Sequence, residues 1–541
     1  MVLLWGLREG IPSHQGVIQS VATESIDDLF ARYGPVYRWL VTGTCITGAM
    51  TGGLASTTVN VAFPDIMGAF GLGRDQAQLL STGYFASQTI GMLLSAWLIK
   101  AGGERMCSNI ALGIFLIGCA MSGLAQDAST LMLGRVLQGT ASGVLQPMAM
   151  AIVFSVFPVG RKGLSMGIFS MGMVMAPTLG PAMGGLAIEF FNWRYVFLLA
   201  LPTAFIALVL GNLFMPSRDF PKVWPRFDFF SFGLLCVCLI GLLLGFSYGQ
   251  RLGWVSDEIV LLFVFGILAG AAFILRQLYT RDPLVNLSLF SNAQFTAAAL
   301  IAFFTECAFL ASTVMLPLFV QQIQHYSPLA AGMMMIPAGV SMLILFPISG
   351  RLADILPAQV LVFAGLLFYA ASFAFMAGMD VNTPFWTVVG FTLVMRFGSA
   401  FTRPVTNATA LSSLPPAIVH QGSSTINFTR KLGGALGANA VMVFLEMRIP
   451  FHGDAFAAAQ TDANQTSQVL RETVVRLFGE AGVPGLAQEP GAFIYFSEVI
   501  LAQASTLGFQ DGFSVLAVIA FTAIIPAFIM ARLMGSKPAT L

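Results

Sequence analysis

Between residues 39 and 533 the chain is a succession of apolar runs, nearly every one long enough to cross a lipid bilayer. A spanning helix needs about 20 apolar residues, because the hydrocarbon core is about 30 Å thick. Read on that rule, the sequence holds about fourteen spans. Their cores are 39–62, 78–99, 106–125, 130–156, 164–188, 195–215, 230–249, 258–275, 293–320, 329–349, 358–378, 384–411, 424–445 and 512–533. Only 9% of the 541 residues are charged and 57% are hydrophobic, against about a quarter charged in a soluble domain. The expected fold class is therefore an all-α integral membrane protein.

The same composition narrows the chemistry. A net charge of +1 gives no basic footprint for nucleic acid. The six cysteines all lie in apolar runs, and the four histidines are scattered. Neither set suggests a disulfide framework or a metal site. No GxxxxGK[ST] loop is present, which argues against an ATPase within the chain. No His, Asp or Ser constellation near one surface suggests an enzyme.

Basic residues in short loops set the expected orientation. Lys100, Arg105, Arg161, Lys162, Arg218, Lys222, Arg226, Arg276, Arg281 and Arg351 fall in loops on one side, with Arg8, Arg32, Arg38, Arg532 and Lys537 in the tails. That side is expected to be cytoplasmic, with both termini on it. Residues 1–37 read as a polar extension carrying one surface helix near 25–33. A proline- and charge-rich linker occupies 216–229. The one long outside loop, 447–510, is expected to hold one amphipathic helix over 467–478 and another over 492–507. It would lie on the membrane as a cap or serve another protein as a docking surface.

A weak repeat divides the chain. Ala101-Gly102-Gly103-Glu104-Arg105 follows span 2, and Gly350-Arg351-Leu352-Ala353-Asp354 follows span 10. Spans 1–6 (38–216) and 9–14 (291–535) then form two six-helix halves. The linker and two inserted helices (217–290) lie between them, and a tail covers 536–541. Paired six-helix halves are a transporter architecture, with the solute site between them near midplane.

A charge at a helix centre costs roughly 2.5–3.5 kcal/mol on insertion scales, so each one is a candidate for function. Span 4 holds Arg135 with Gln138 one turn on. It would either snorkel to the surface or line a polar cavity with Asn60 of span 1. Glu306 is the one carboxylate deep inside a span. It would either carry protons or stay protonated and bond another helix. Span 12 holds Arg396 in its depth and Arg403 nearer the inside surface, where it would snorkel. Glu306 is the guessed partner of Arg396. Asn427 and Arg430 mark the inside end of span 13, and Asp511 would cap the start of span 14. Span 5 contains Ala176-Pro177-Thr178-Leu179-Gly180-Pro181-Ala182-Met183-Gly184-Gly185. Its small residues permit close helix approach, and its prolines a bend.

Together these motifs resemble the major facilitator superfamily, and within it the fourteen-helix drug:proton antiporters of the EmrB and QacA type. Gly180-Pro181-x-x-Gly184-Gly185 resembles the antiporter signature, and Pro177 precedes it. Arg135-x-x-Gln138-Gly139 resembles the span 4 motif, whose arginine the family links to proton coupling. Trp193-Arg194-Tyr195-Val196-Phe197 resembles the entry to span 6, and Asn427-x-x-Arg430-x-x-Gly433-Gly434 that of span 13. Ala55 stands where the span 1 motif carries aspartate, and Lys100 where many members carry aspartate in the loop after span 2. The resemblance implies a proton-driven inner-membrane exporter of hydrophobic or amphiphilic compounds, without a cofactor. Glu306 stands outside the usual motif set and would replace the missing span 1 carboxylate as the proton site, with Arg135 as its companion in coupling; the substrate cavity would fall on Asn60, Gln138, Arg396 and Asn427. Inside gating would use Lys100, Gly103, Arg105, Arg351, Asp354 and Arg430, and the span 5 motif would seal the halves. A periplasmic adaptor with an outer-membrane channel is the implied partner of 447–510. A dedicated exporter of one metabolite or fatty acid, or a membrane receptor, is the alternative.

Overall fold

The computed structural model describes residues 24–217, 226–280, 283–460 and 464–535, and all regular structure among them is helical. Most of the 216–229 linker lies outside the described residues. Among the described residues, twelve helices are long and apolar enough to cross a membrane. The helix Tyr37–Thr58, diluted by threonine and glycine, adds span 1. One continuous assignment, Arg74–Gly123, holds two spans. The number of crossings is then fourteen, as the apolar runs predict.

The double helix reverses at Gly103, where φ is 76°, a left-handed value that glycine adopts without strain. The packing on span 4 (Ala128–Val156) proves the reversal. Gly83 meets Met132 and Tyr84 meets Gly139, so span 2 runs parallel to span 4. Gly118 and Cys119 meet Gln138 while Ser122 meets Gly134, so span 3 runs antiparallel to it.

The remaining spans are Lys162–Phe190 (span 5), Tyr195–Leu198 with Ala200–Phe214 (6), Phe229–Leu252 (7) and Asp257–Tyr279 (8). Then come Ala293–Gln322 (9), Pro328–Ala353 (10), Ala358–Met376 (11), Phe385–Ser412 (12), Val419–Ala458 (13) and Gly485–Thr522 with Ile524–Gly535 (14). In a bilayer each span must satisfy its own backbone, and several span starts are capped as well. Asp127 accepts from the Thr130 N–H, Asn292 from Gln294 and Phe295, and Ser327 from Ala330.

Neighbour relations establish the repeat more firmly than the sequence does. Spans 1–4, 1–5, 1–6, 2–4 and 3–4 are packed pairs, and 9–12, 9–13, 9–14, 10–12 and 11–12 repeat them eight spans later. Spans 7 and 8 pack chiefly on each other. Leu235, Leu239 and Phe273 bury against Ile90 and Leu93 of span 2, with Phe428 and Leu432 of span 13 alongside. The inserted pair thus covers one seam between the halves.

The segment 447–510 corrects its expectation as a loop. Span 13 continues unbroken to Ala458, and the helix Gly485–Thr522 runs directly into the membrane as span 14. At 1.5 Å per residue, 40 residues extend about 60 Å, twice the hydrocarbon thickness. The separate helix expected over 492–507 is the projecting half of span 14. The helix Gln465–Glu480 lies across it, as the amphipathic pattern indicates. Asp511 is not a cap but sits inside this helix, 2.6 Å from Arg448 and 2.7 Å from His452. At the other end, Ser25 caps the helix Ile26–Tyr33, close to its expected bounds.

Candidate functional site

The halves meet along spans 5 and 10, and along span 13 against spans 2 and 4. We call the end of the bundle that carries Gly103 and Asp354 the basic end, and the end that carries 447–510 the distal end. Contact runs from the basic end to about mid-span. A Cβ on Gly163 would lie 2.4 Å from the Gly350 carbonyl oxygen, and one on Gly167 would lie 2.4 Å from that of Phe346. Only glycine allows this approach. Further along, Thr178 meets Gly339. Asp354 crosses the seam to cap span 5. Its Oδ1 accepts from the Gly163 N–H at 2.6 Å and its Oδ2 from the Leu164 N–H at 2.9 Å. Burial holds the Asp354 carboxyl above the ordinary carboxylate range, while these two donors and nearby Arg161 and Arg351 pull the other way.

The matching loop of the other half uses different chemistry. Glu104 faces His420, at the start of span 13, at 3.2 Å. Its neighbour Arg105 turns away from the seam. It pairs with Glu24 at 2.6 Å and donates to the Met215 carbonyl at 2.8 Å. Lys100 and Arg351 are solvent-exposed. The gating expectation for Arg430 is corrected. It is buried within its half, donating to Asn407 and to Asn427. Asn427 lies 3.5 Å from Gln146 of span 4, and Ser423 donates to the Pro147 carbonyl at 2.6 Å. Span 4 and span 13 are therefore clasped by neutral polar groups.

In the first half, Arg135 is fully buried and does not snorkel. It donates to the carbonyls of Ala55 at 2.8 Å and Leu80 at 3.3 Å, and to Gln138 at 3.0 Å. The Tyr84 ring lies 4.3 Å from the guanidinium carbon. At position 55, where the motif usually carries aspartate, the backbone oxygen serves instead. Gln138 is corrected from cavity residue to support, since its amide points at Cys119 of span 3. Asn60 is exposed at the distal end, where Ser81 donates to it. Apart from Thr178, the span 5 motif also has a different neighbour from the one expected. Cβ atoms on Gly180 and Gly184 would meet Thr57 and Thr58 of span 1, and Pro177 lies against Gly53. These residues weld span 5 to span 1 within one half. Pro181 is exposed, and Gly185 faces open space.

The second half holds the ionisable cluster. Arg403, expected to snorkel, donates to Glu306 at 2.5 Å, and their side chains are 19% and 12% exposed. Arg396 is not the partner of Glu306. It lies over the Phe309 ring at 4.6 Å, with Arg403 5.0 Å from the same ring. Gly434 of span 13 gives Glu306 its room, since a Cβ there would stand 3.1 Å from its Cγ. No group of three metal-ligating side chains occurs among the described residues. Sequence reasoning missed Glu104, His420, Gln146 and Ser423. Glu104 was legible as the acidic end of the first repeat loop, matching Asp354 in the second. The other three carry no motif.

Comparison with known proteins agrees with this architecture. The family model described as Major Facilitator Superfamily matches residues 45–438. Multidrug export protein EmrB of Escherichia coli (strain K12) is 28% identical over 428 residues, 77% of this chain and 82% of that protein. Fatty acid resistance protein FarB of Neisseria gonorrhoeae is 28% identical over 433 residues, 78% of this chain and 83% of its own. Among solved structures, the human organic anion transporter MFSD10 (TETRAN) superposes with a TM-score of 0.59 at 15% identity. That match covers 91% of this chain and 99% of the other, and it speaks to the fold alone.

Proposed function

The chain belongs to the Major Facilitator Superfamily, and we propose that it exports hydrophobic or amphiphilic compounds in exchange for protons, by alternating access between its two halves. One observation carries this reading. Glu306, the one deeply placed carboxylate of the described spans, is paired with Arg403 and keeps 12% of its side chain exposed. An ionised Glu306 is held by the arginine. A protonated one is not, and span 12 becomes free to shift against span 9. A group that binds and releases a proton as water access changes sides can drive such a cycle. Each proton moving inward through 100 mV supplies about 2.3 kcal/mol, enough for a roughly fiftyfold gradient of a neutral solute.

Arg135 has a different part. Its acceptors are carbonyl and amide oxygens, so it has no acid with which to exchange a proton. It fixes span 4 against spans 1 and 2, and coupling rests on Glu306. The basic end is the cytoplasmic side, by its excess of lysine and arginine. The distal helices then project into the periplasm of an inner-membrane protein. Their exposed apolar side chains, among them Leu477, Leu486, Phe493 and Ile494, offer a periplasmic adaptor a docking face, with an outer-membrane channel beyond it. The similarity to a fatty acid resistance protein favours, as second reading, an exporter dedicated to one acyl compound.

The test is proton flux in proteoliposomes under an imposed pH gradient. Substrate addition is expected to dissipate the gradient through the wild type and not through Glu306→Gln. Full proton-coupled export by that variant would remove Glu306 from the mechanism.

A further inference from the structure

Arg135, Arg396, Arg403 and Arg430 lie within the described spans of the two halves, and their partners differ. Arg135 has three oxygen acceptors, Arg403 has Glu306 and Arg430 has two asparagines. Arg396 alone has no oxygen acceptor among the described residues. It is 8% exposed, its Nε is buried without a partner, and its Nη1 reaches only the Met342 thioether at 3.8 Å. A buried guanidinium is costly unless an anion or several acceptors compensate it. A ring face compensates only in part. We propose that Arg396 is the anchor for an anionic head group, and that the compounds this protein exports are anionic amphiphiles.

The surroundings fit that ligand class. Arg396 stands near the middle of span 12, 11 residues from Phe385 and 16 from Ser412. Phe309 carries Arg396 and Arg403 together, so an anion at this ring would face two guanidinium groups. The only carboxylate nearby among the described residues, Glu306, already belongs to Arg403. Arg430 and Lys431 add positive charge on span 13. A cationic ligand would meet net repulsion here. A carboxylate or sulfonate would take two parallel N–H donors from Arg396, the geometry a guanidinium presents. Beside it, Met342, Phe346 and Phe309 pack with Met171 and Val174 of span 5. Methionine and aromatic side chains adapt to many apolar shapes, as an acyl or aryl tail requires. Span 5 covers these side chains in the present conformation, and separation of the halves would expose them.

This inference rests on the exporter reading, and the experiment separates the two. The purified full-length protein is given three probes of one chain length: a long-chain carboxylate, its methyl ester and the corresponding alkylamine. Binding is measured by competition and export in proteoliposomes. The wild type should bind the carboxylate at least about tenfold more tightly than the ester, and the amine most weakly. Arg396→Gln should bring carboxylate and ester to parity while ester binding is kept. Arg396→Lys should retain part of the preference. Because removal of a buried arginine can disturb folding, Met342→Glu is the second variant. It supplies Arg396 with an internal carboxylate, and should abolish the preference for the carboxylate probe in a folded protein. Equal or tighter binding of the amine by the wild type would overturn the inference, as would an undiminished carboxylate preference in either Arg396→Gln or Met342→Glu. Export of ester and amine without that preference would leave the exporter reading intact. Binding of the carboxylate with export of none of the three would do the reverse.

Discussion

The two loops at the basic end perform the same task with different chemistry. Each follows the second span of its half, and each sends a carboxylate across the seam to the start of the other half's fifth span. Asp354 receives two backbone N–H groups at the first turn of span 5. Glu104 meets a side chain, His420, at the start of span 13. The first contact is a cap. Its strength comes from helix geometry and from the Gly163–Gly350 approach that brings the helix within reach. The second is a side-chain pair, with Glu104 17% and His420 24% exposed. Partial exposure of this kind keeps such pairs weak. Internal repetition preserved the positions of the latches, and divergence made one structural and the other adjustable.

The comparison can be broken most severely at the glycines. Gly163→Leu or Gly350→Leu would drive a side chain into the opposing backbone, which has no room to yield. Overpacking of this kind costs about 1–3 kcal/mol, occasionally more, and here it opposes one state only. The closed basic end should become a minor conformation, seen as a longer distance between spin labels on spans 2 and 13, and export should be lost with insertion intact. An unchanged distance distribution would mean that the close approach does not hold the latch.

Removal of the cap comes next. Asp354→Ala leaves two N–H groups of span 5 without their acceptor, at about 1–3 kcal/mol, or roughly 5- to 150-fold in the closed-to-open ratio. Asp354→Asn keeps a carbonyl acceptor. It also removes a charge that burial already disfavours, so its cost should stay below about 1 kcal/mol. If asparagine were as damaging as alanine, the carboxylate charge and not the cap geometry would be the essential property.

The smallest effect is expected at the other loop. Glu104→Gln should shift the same ratio by no more than about fivefold, since a partly exposed pair contributes about 0–1 kcal/mol. Higher ionic strength should shrink the difference between wild type and variant. The Asp354→Ala effect should not shrink with salt. Equal salt sensitivity of both latches would remove the distinction between them.

Much of the site was legible as composition and little of it as pairing. Glu306 stood out because a carboxylate in an apolar run has no inexpensive explanation, and its depth followed from counting residues. Its partner did not follow. Arg396 and Arg403 lie seven residues apart on one helix, so both point to nearly the same side of it. Which one reaches Glu306 depends on how far spans 9 and 12 slide past each other. The span 5 motif raised the same difficulty. Its glycines announced a close helix contact, and the contact is with span 1 and not with the opposite half. The distal helices misled for another reason. Charged and polar residues at 446–454 look like the end of a span, yet a helix leaving the bilayer needs no apolar surface to continue.

By itself the sequence determined the number of crossings, the membrane as solvent, the pairing of two six-span units and the scarcity of carboxylates against arginines. Those follow from length and hydrocarbon thickness, which act on each segment alone. Tertiary structure decided which faces meet. Spans of this chain are apolar around most of their circumference, so no stripe fixes their rotation. Lipid offers no hydrophobic drive between helices. Small residues, caps and buried polar contacts choose the register instead. They set Asp354 on span 5, Glu104 on His420 and Glu306 on Arg403, and they left Arg396 without an oxygen to bind among the described residues.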